Sequence, residues 1–211
     1  MHPKFKYIAS KTSKPGAAKR AVRYYLRGAA IDANGKLMAY SNVALSPQEA
    51  AALFDHMEMI NRSAQKNAKV ATTGILPMDP RWTPQQMMKV AKGWADENLG
   101  QYGLPYFLAL HPPPPEGDQR NWHVHIIWSW RPVTRVADYE WEVSENLLTS
   151  LDGPAGIRRL RERYAAHMTA MSAEVGDFDV YTSLSHAARG LPIRAFSTAS
   201  ESRGIPAGLK F

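Results

Sequence analysis

Residues 121–130 have the sequence Asn-Trp-His-Val-His-Ile-Ile-Trp-Ser-Trp, which predicts a β-strand with two different sides. Side chains of a strand alternate between the two sides of a sheet. His123, His125 and Ile127 therefore share one side. The other side carries only large apolar residues, namely Trp122, Val124, Ile126, Trp128 and Trp130. We expect that apolar side to face the core, and the two imidazoles to point the same way from Cα atoms roughly 6–7 Å apart.

A third histidine lies on the strand that comes before this one. Residues 104–110 are apolar and aromatic, which predicts a strand that leads into His111. A Pro-rich loop that contains Gly117 joins the two strands. If they pair as a hairpin about that glycine, His111 lies roughly opposite His123. Three imidazoles then converge, and neutral imidazole binds Zn, Mn, Ni, Co or Fe. The alternative is that they are ordinary polar side chains without an ion.

Periodicity and capping signals predict the other elements. Two capping boxes, Ser46-Pro47-Gln48-Glu49 and Thr83-Pro84-Gln85-Gln86, each predict the start of a helix. In chain order we expect a strand over residues 5–9, a helix over 17–27, a helix from 46 to 62, a strand over 69–76, a helix from 83 to 100, the two histidine strands, and a helix over 154–175. This order predicts a sheet covered by helices.

Composition excludes several classes of protein. A chain of 211 residues suits one α+β domain, or one domain with a tail. The absence of cysteine excludes disulfides, thiolate metal sites and a cysteine nucleophile. No apolar run approaches the 18 or so residues that a membrane span needs, so we expect no membrane insertion. The N-terminus also lacks the apolar core of a secretory signal peptide.

Positive charge is concentrated at the N-terminus. The whole chain has a net charge of +7. Residues 1–36 contain nine basic side chains and a single acid, Asp32, so the rest of the chain is close to neutral. Such a segment attracts a polyanion, most often nucleic acid, although a solvated basic arm is the alternative. The residues we predict to bind DNA are Lys4, Lys6, Lys11, Lys14, Lys19, Arg20, Arg23 and Arg27.

Two adjacent tyrosines, Tyr24 and Tyr25, lie near the end of the predicted basic helix. A phenol with a pKa near 10 is a poor nucleophile unless a metal or a basic group activates it. The alternative is that both rings pack on the sheet with their hydroxyls hydrogen-bonded. Neighbouring helical residues point about 100° apart, so at most one of the two faces the histidines easily.

These motifs together resemble a known family. In order they are Tyr-Tyr-Leu-Arg-Gly at 24–28, Ile-Leu-Pro at 75–77, the Thr-Pro-Gln-Gln helix start, Ala-Leu-His at 109–111 and His-Val-His at 123–125. The chain resembles the MobA/MobL-type plasmid mobilisation relaxases, which are His-hydrophobe-His (HUH) endonucleases. The resemblance implies an α+β fold with a central antiparallel β-sheet flanked by helices, like the palm of HUH relaxases. We expect this domain over residues 1–196 and a flexible tail over 197–211.

The resemblance also implies a chemistry, namely site- and strand-specific nicking of DNA at a plasmid transfer origin through a 5′-phosphotyrosyl intermediate. Tyr25 matches the nucleophile, with Tyr24 as the alternate. His111, His123 and His125 match the ligands of one divalent ion, Mg or Mn, with Zn, Ni or Co as alternatives. Residues 70–75 lack the carboxylate that relatives often place on that strand, so Asp79 is the candidate base.

The implied partners are single-stranded DNA at the transfer origin, relaxosome accessory proteins and a type IV secretion coupling protein, in the bacterial cytoplasm. Three other functions use the same residues. One is a rolling-circle replication initiator or transposase with the same chemistry. Another is a catalytically weak single-stranded DNA-binding module. The last is a hydrolase of small phosphoesters that activates a metal-bound water instead of a tyrosine.

Overall fold

The computed structural model describes residues 2–64, 66–184 and 187–189. Within these ranges the helices are α1 (Ala17–Arg27), α2 (Pro47–Ala64), α3 (Pro84–Asn98) and α4 (Gly153–Glu174). The strands are β1 (Lys4–Ala9), β2 (Ala39–Ser41), β3 (Lys69–Pro77), β4 (Tyr106–His111), β5 (His123–Trp128), β6 (Val133–Ala137) and β7 (Glu140–Val143). The predicted boundary between residues 196 and 197, and the predicted tail beyond it, lie outside the described residues.

In the described part of the chain, five strands form one sheet in the order β1-β3-β5-β4-β2, and every neighbouring pair is antiparallel. This confirms the α+β class and the central antiparallel sheet. β2 was not predicted, because three residues are too few to show an alternating pattern. It forms a strand because Tyr40 pairs with Leu108 of β4. β6 and β7 form a separate two-stranded sheet.

Both sides of the central sheet are covered. On one side Val124, Ile126 and Trp128 of β5 belong to the large core that includes residues of α3 and α4, as the alternation predicts. On the other side Ile127 packs in a second core with Val22 of α1 and other residues of α1 and α2. The histidines project to this second side, so helix α1 lies next to them.

Helix starts follow the predicted capping signals with one difference. At α3 the Thr83 hydroxyl accepts from the Gln86 amide, and the Gln86 side chain accepts from the Thr83 amide, which is a complete capping box. At α2 the Ser46 hydroxyl accepts from the Glu49 amide. The Glu49 carboxylate, however, accepts from the Leu45 amide and from Arg135 of β6. Its contact with Arg135 holds the β6–β7 hairpin against α2.

Substitution of Gly74 by alanine is expected to destabilise the fold. A Cβ at Gly74 would lie 2.5 Å from Cδ1 of Phe5, its partner on β1. Phe5 is stacked on Trp94, so its ring cannot move away cheaply. We expect Gly74→Ala to lower the free energy of unfolding by about 1–3 kcal/mol, the usual cost of overpacking, as measured by urea denaturation. Gly93→Ala is the control, because its Cβ makes only ordinary contacts; equal stability of both variants would contradict the prediction.

Candidate functional site

The hairpin of β4 and β5 brings the three histidines together. His111 pairs directly with His123 across the two strands, as predicted. The ring centroids are 5.5 Å apart for His111 and His123, 4.4 Å for His111 and His125, and 4.9 Å for His123 and His125. One ring nitrogen from each residue lies within 4.8 Å of the others. This spacing is close to that of three nitrogen ligands on a single ion with bonds of about 2.1 Å.

Two of the imidazoles are oriented by backbone carbonyls. Nε2 of His111 lies 2.6 Å from the carbonyl oxygen of Tyr25, and Nδ1 of His123 lies 2.8 Å from that of Asn121. A carbonyl oxygen only accepts hydrogen bonds, so each of these nitrogens carries the proton. The remaining nitrogen of each ring therefore keeps its lone pair. Histidines that bind metals commonly donate their other N–H to such a group.

The three histidines are neutral at physiological pH. Burial lowers the pKa of all three, and for His125 the two neighbouring histidines lower it further, to about 3. A neutral imidazole can bind a metal ion, whereas a protonated one cannot. Three neutral nitrogen donors fit a divalent ion and leave coordination positions open for a substrate. The histidine cluster could therefore hold a divalent metal ion.

Both tyrosines of α1 contact His125. The Tyr25 ring is stacked on it, with centroids 4.4 Å apart and planes 14° apart. The Tyr24 ring meets His125 edge-on at 6.1 Å. Tyr25 is only 7% exposed, whereas Tyr24 is 59% exposed. Both rings reach His125, so the expectation that at most one of them faces the histidines easily does not hold, but only Tyr25 stacks on it face to face.

Thr73 of β3 is a site residue that the sequence did not reveal. Burial raises the pKa of the Tyr25 hydroxyl to about 12, and the nearby Thr73 side chain, whose hydroxyl donates to the Lys6 carbonyl, opposes this rise. Thr73 lies on the same side of the sheet as His125, because it pairs with Ile127 two residues along β5. Only the strand register shows this, since a lone threonine in an apolar strand carries no functional signal.

Asp79 lies in a different network. Its carboxylate accepts hydrogen bonds from the Arg81 guanidinium and the Tyr181 hydroxyl. Burial alone raises the pKa of Asp79, but these hydrogen bonds outweigh it and lower the pKa to about 2. A carboxylate with so low a pKa accepts protons poorly at neutral pH. Its role as the general base stays a prediction, and these contacts favour a structural role that ties residues 179–181 to the end of β3.

An open strip of sheet lies beside the histidines. Lys4 and Lys6 on β1 pair with Ile75 and Thr73 on β3, and Ile75 pairs in turn with His125. All five side chains therefore project to one side of the sheet. Lys4, Lys6 and Ile75 are exposed and Thr73 is half-buried. We name Lys4, Lys6, Thr73 and Ile75 the open strip; it places two lysines roughly 10 Å from the histidine strand.

The other predicted DNA-binding residues differ in their surroundings. Lys11 and Lys14 are exposed in the loop before α1. Lys19 forms an ion pair with Asp55, and Arg20 donates to the carbonyls of Lys14 and Pro15. The remaining two, Arg23 and Arg27, are exposed on α1 and form no ion pair with the described residues. Arg27 shares a helix face with Tyr24, three residues before it.

The sequence pattern of the MobA/MobL family matches residues 15–179 of the chain. No curated protein matches it in sequence.

No helix in the described ranges combines the length and the apolar character that crossing a bilayer requires.

Several solved structures share the fold. One, from work on the molecular basis of vancomycin resistance transfer in Staphylococcus aureus, has a TM-score of 0.62 at 13% identity and covers 87% of this chain and 98% of its own. The conjugative relaxase TrwC in complex with oriT DNA, in a metal-free structure, has a TM-score of 0.50 at 14% identity. TrwC with a 27-mer DNA comprising the recognition hairpin and the cleavage site has a TM-score of 0.51 at 12% identity. Both TrwC structures cover 95% of this chain and 88% of their own.

Proposed function

Since this chain belongs to the MobA/MobL family, we propose that it is a relaxase that nicks one strand of plasmid DNA at a transfer origin. The observation that carries the proposal is the contact of two tyrosine rings with one member of a three-histidine cluster. A candidate nucleophile and a candidate metal site thus lie side by side. The TrwC structures bound to oriT DNA support the same activity. Its substrate is plasmid DNA, so the reaction takes place in the bacterial cytoplasm.

The proposed reaction is a transesterification. When bound, a divalent ion would polarise a non-bridging oxygen of the scissile phosphate and favour the ionised form of a nearby phenol. The Tyr25 oxygen attacks phosphorus, and the bond from phosphorus to the 3′ oxygen breaks. The tyrosine loses one proton and the 3′ oxygen gains one. The product is a 5′-phosphotyrosyl link, and attack by the 3′-hydroxyl reverses the reaction and reseals the strand.

His111, His123 and His125 are the proposed ligands. Their neutral state and the two carbonyl contacts leave lone pairs available for an ion. Mg and Mn are the proposed ions, with Zn, Ni or Co as alternatives that suit nitrogen donors better. Stacking on His125 keeps the Tyr25 ring against the ligand set, so one rigid contact positions the nucleophile and the metal relative to each other.

Single-stranded DNA is proposed to reach the histidines along the open strip. Lys4 and Lys6 lie on the same side of the sheet as the cluster and bind backbone phosphates. Exposed Ile75 offers an apolar surface for a base, and exposed Tyr24 an aromatic one, which is the usual way in which unpaired bases are held. Relaxosome accessory proteins and a secretion coupling protein stay predictions as further partners.

DNA affinity is expected to fall steeply with salt. Each phosphate contact contributes a slope of about 0.7 to the dependence of log affinity on log salt for a single strand. Replacement of both Lys4 and Lys6 by alanine is expected to reduce that slope by about 1.4, as measured by fluorescence anisotropy with a single-stranded oligonucleotide. Lys89→Ala is the control, since Lys89 pairs with Glu174 away from the open strip. An unchanged slope in the double variant would contradict the proposed path.

The function is tested by trapping the covalent intermediate. A library of single-stranded DNA with a randomised segment is incubated with the protein and Mn²⁺, and complexes that survive SDS are isolated. We expect an adduct that disappears with EDTA. Binding without cleavage would support the DNA-binding module instead, and cleavage without an adduct would support the phosphoester hydrolase. Sequencing the trapped DNA identifies the site, which separates a transfer origin from a replication origin or a transposon end.

A further inference from the structure

Helix α1 ends directly against one face of the His111 ring. Gly28 follows the last helical residue, and a Cβ placed on it would lie 2.8 Å from Cε1, 3.0 Å from Nδ1 and 3.4 Å from Nε2 of that imidazole. The first of these distances is too short for a real carbon–carbon contact. Gly28 has a φ of −104°, which any residue adopts. Its backbone therefore does not require glycine, and only the imidazole does.

A second contact holds the same ring. The last carbonyls of a helix have no partner within the helix. One of them, that of Tyr25, accepts a hydrogen bond from Nε2 of His111. The ring is thus hydrogen-bonded to the last turn of α1 at one nitrogen, and one of its faces lies against the bare Cα of Gly28. The Nδ1 lone pair lies in the plane of the ring, so the contact of the ring face with Gly28 helps to fix the direction in which this lone pair points.

Helix α1 is anchored to its neighbours away from the ring. At its other end the Ala18 amide donates to the buried Glu58 carboxylate of α2, which is paired with Arg62. Ala18 and Val22 are almost fully buried against the second core. A clash at Gly28 would therefore displace the imidazole and not the helix.

We propose that Gly28 is a positioning residue for the metal centre: the missing side chain lets the end of α1 hold His111 with its free nitrogen open to the ion. This inference rests on the proposed metal centre. The same helical turn carries Tyr25, so it connects the metal centre to the candidate nucleophile. A side chain at position 28 would press on the face of the His111 ring and break the alignment of the ring with His123 and His125.

The direct test is the Mn²⁺ affinity of the Gly28→Ala variant, measured by isothermal titration calorimetry without DNA. We expect at least a ten-fold weaker affinity, the usual effect of disturbing a residue that orients a metal ligand. Gly93→Ala is the matched control, and we expect wild-type Mn²⁺ affinity for it because its Cβ meets only ordinary contacts at 3.6 Å. Wild-type affinity in Gly28→Ala would overturn the proposal.

A second measurement separates positioning from a general structural role. In the metal-free protein, Gly28→Ala is expected to lower the Tm, because its methyl group meets the imidazole. In a His111→Ala background that methyl group has room, so the same substitution is expected to leave the Tm unchanged or raise it. The double variant therefore also rescues folding if the single one is unstable. Equal destabilisation in both backgrounds would overturn the proposal.

The proposed metal centre and the role of Gly28 fail in different ways. If wild-type protein does not bind Mn²⁺, the proposed metal centre is wrong and the role of Gly28 toward it falls too. If wild-type protein binds Mn²⁺ and Gly28→Ala binds it equally well, only the role of Gly28 is wrong.

Discussion

Tyr25→Phe is expected to abolish the SDS-stable protein–DNA adduct and to reduce strand cleavage by at least about 10³-fold, because the variant lacks the attacking oxygen. The phenyl ring retains the stacking on His125 that the Tyr25 ring makes at 4.4 Å. Mn²⁺ affinity and the affinity for single-stranded DNA are therefore expected to stay near wild type. The measurement is the fraction of labelled oligonucleotide that is cleaved and that is retained on the protein in SDS gels.

Tyr24→Phe is the matched control, since it removes the same atom from the neighbouring residue. Tyr24 is largely exposed and meets His125 only at its edge, so we expect this variant to keep most of its cleavage. Fragmentation mass spectrometry of the phosphotyrosyl peptide shows independently which of the two residues is modified. Loss of the adduct in Tyr24→Phe with retention in Tyr25→Phe would assign the attack to Tyr24, and retention in both would argue against a tyrosine nucleophile.

Removal of an imidazole from the cluster is expected to separate cleavage from DNA binding. His123→Ala and His125→Ala should each reduce cleavage by at least about 100-fold, because two ligands hold the ion poorly and a positive charge near the scissile phosphate is lost. DNA affinity should change by no more than about three-fold, since backbone phosphates are bound by basic residues elsewhere. Oligonucleotide cleavage and fluorescence anisotropy measure the two effects on the same variant.

The opposite pattern is expected for the open strip. Lys6→Ala should weaken DNA binding while it leaves the cleavage rate at saturating DNA near wild type, because Lys6 lies two strands from the histidine strand.

For the histidine variants, equal losses of cleavage and binding in His123→Ala would contradict the assignment of that histidine to chemistry. His125→Ala also removes the surface on which Tyr25 is stacked, so its cleavage defect is expected to be the larger of the two.

Elements with strong periodicity were predictable from the sequence. Strand β5 alternates between histidine and large apolar residues, and its apolar side packs in the core with α3 and α4 as expected. The capping box at Thr83 forms with both of its hydrogen bonds. The pairing of His111 with His123 followed from the hairpin alone, because two antiparallel strands joined by one loop can pair in only a few registers.

Features that depend on distant contacts were not predictable. Strand β2 exists because β4 offers it a partner, and the Glu49 carboxylate binds Leu45 and Arg135 instead of completing its own capping box. The involvement of Asp79 with Tyr181 joins residues about a hundred positions apart, which no local pattern shows. Charge in the N-terminal segment was visible, but the pairing of Lys19 with Asp55 was not.

The sequence by itself determined the periodic elements, the residue types of the site and the resemblance to the relaxases, because these are read from short local motifs and their order along the chain. Only the tertiary structure decided which tyrosine stacks on His125, that Thr73 lies near the Tyr25 hydroxyl, and that Gly28 lies against His111. The physical reason is that a helix can dock on a sheet at many rotations and heights with the same apolar pattern. The contacts of α1 with Glu58, with the second core and with the His111 ring select one of them.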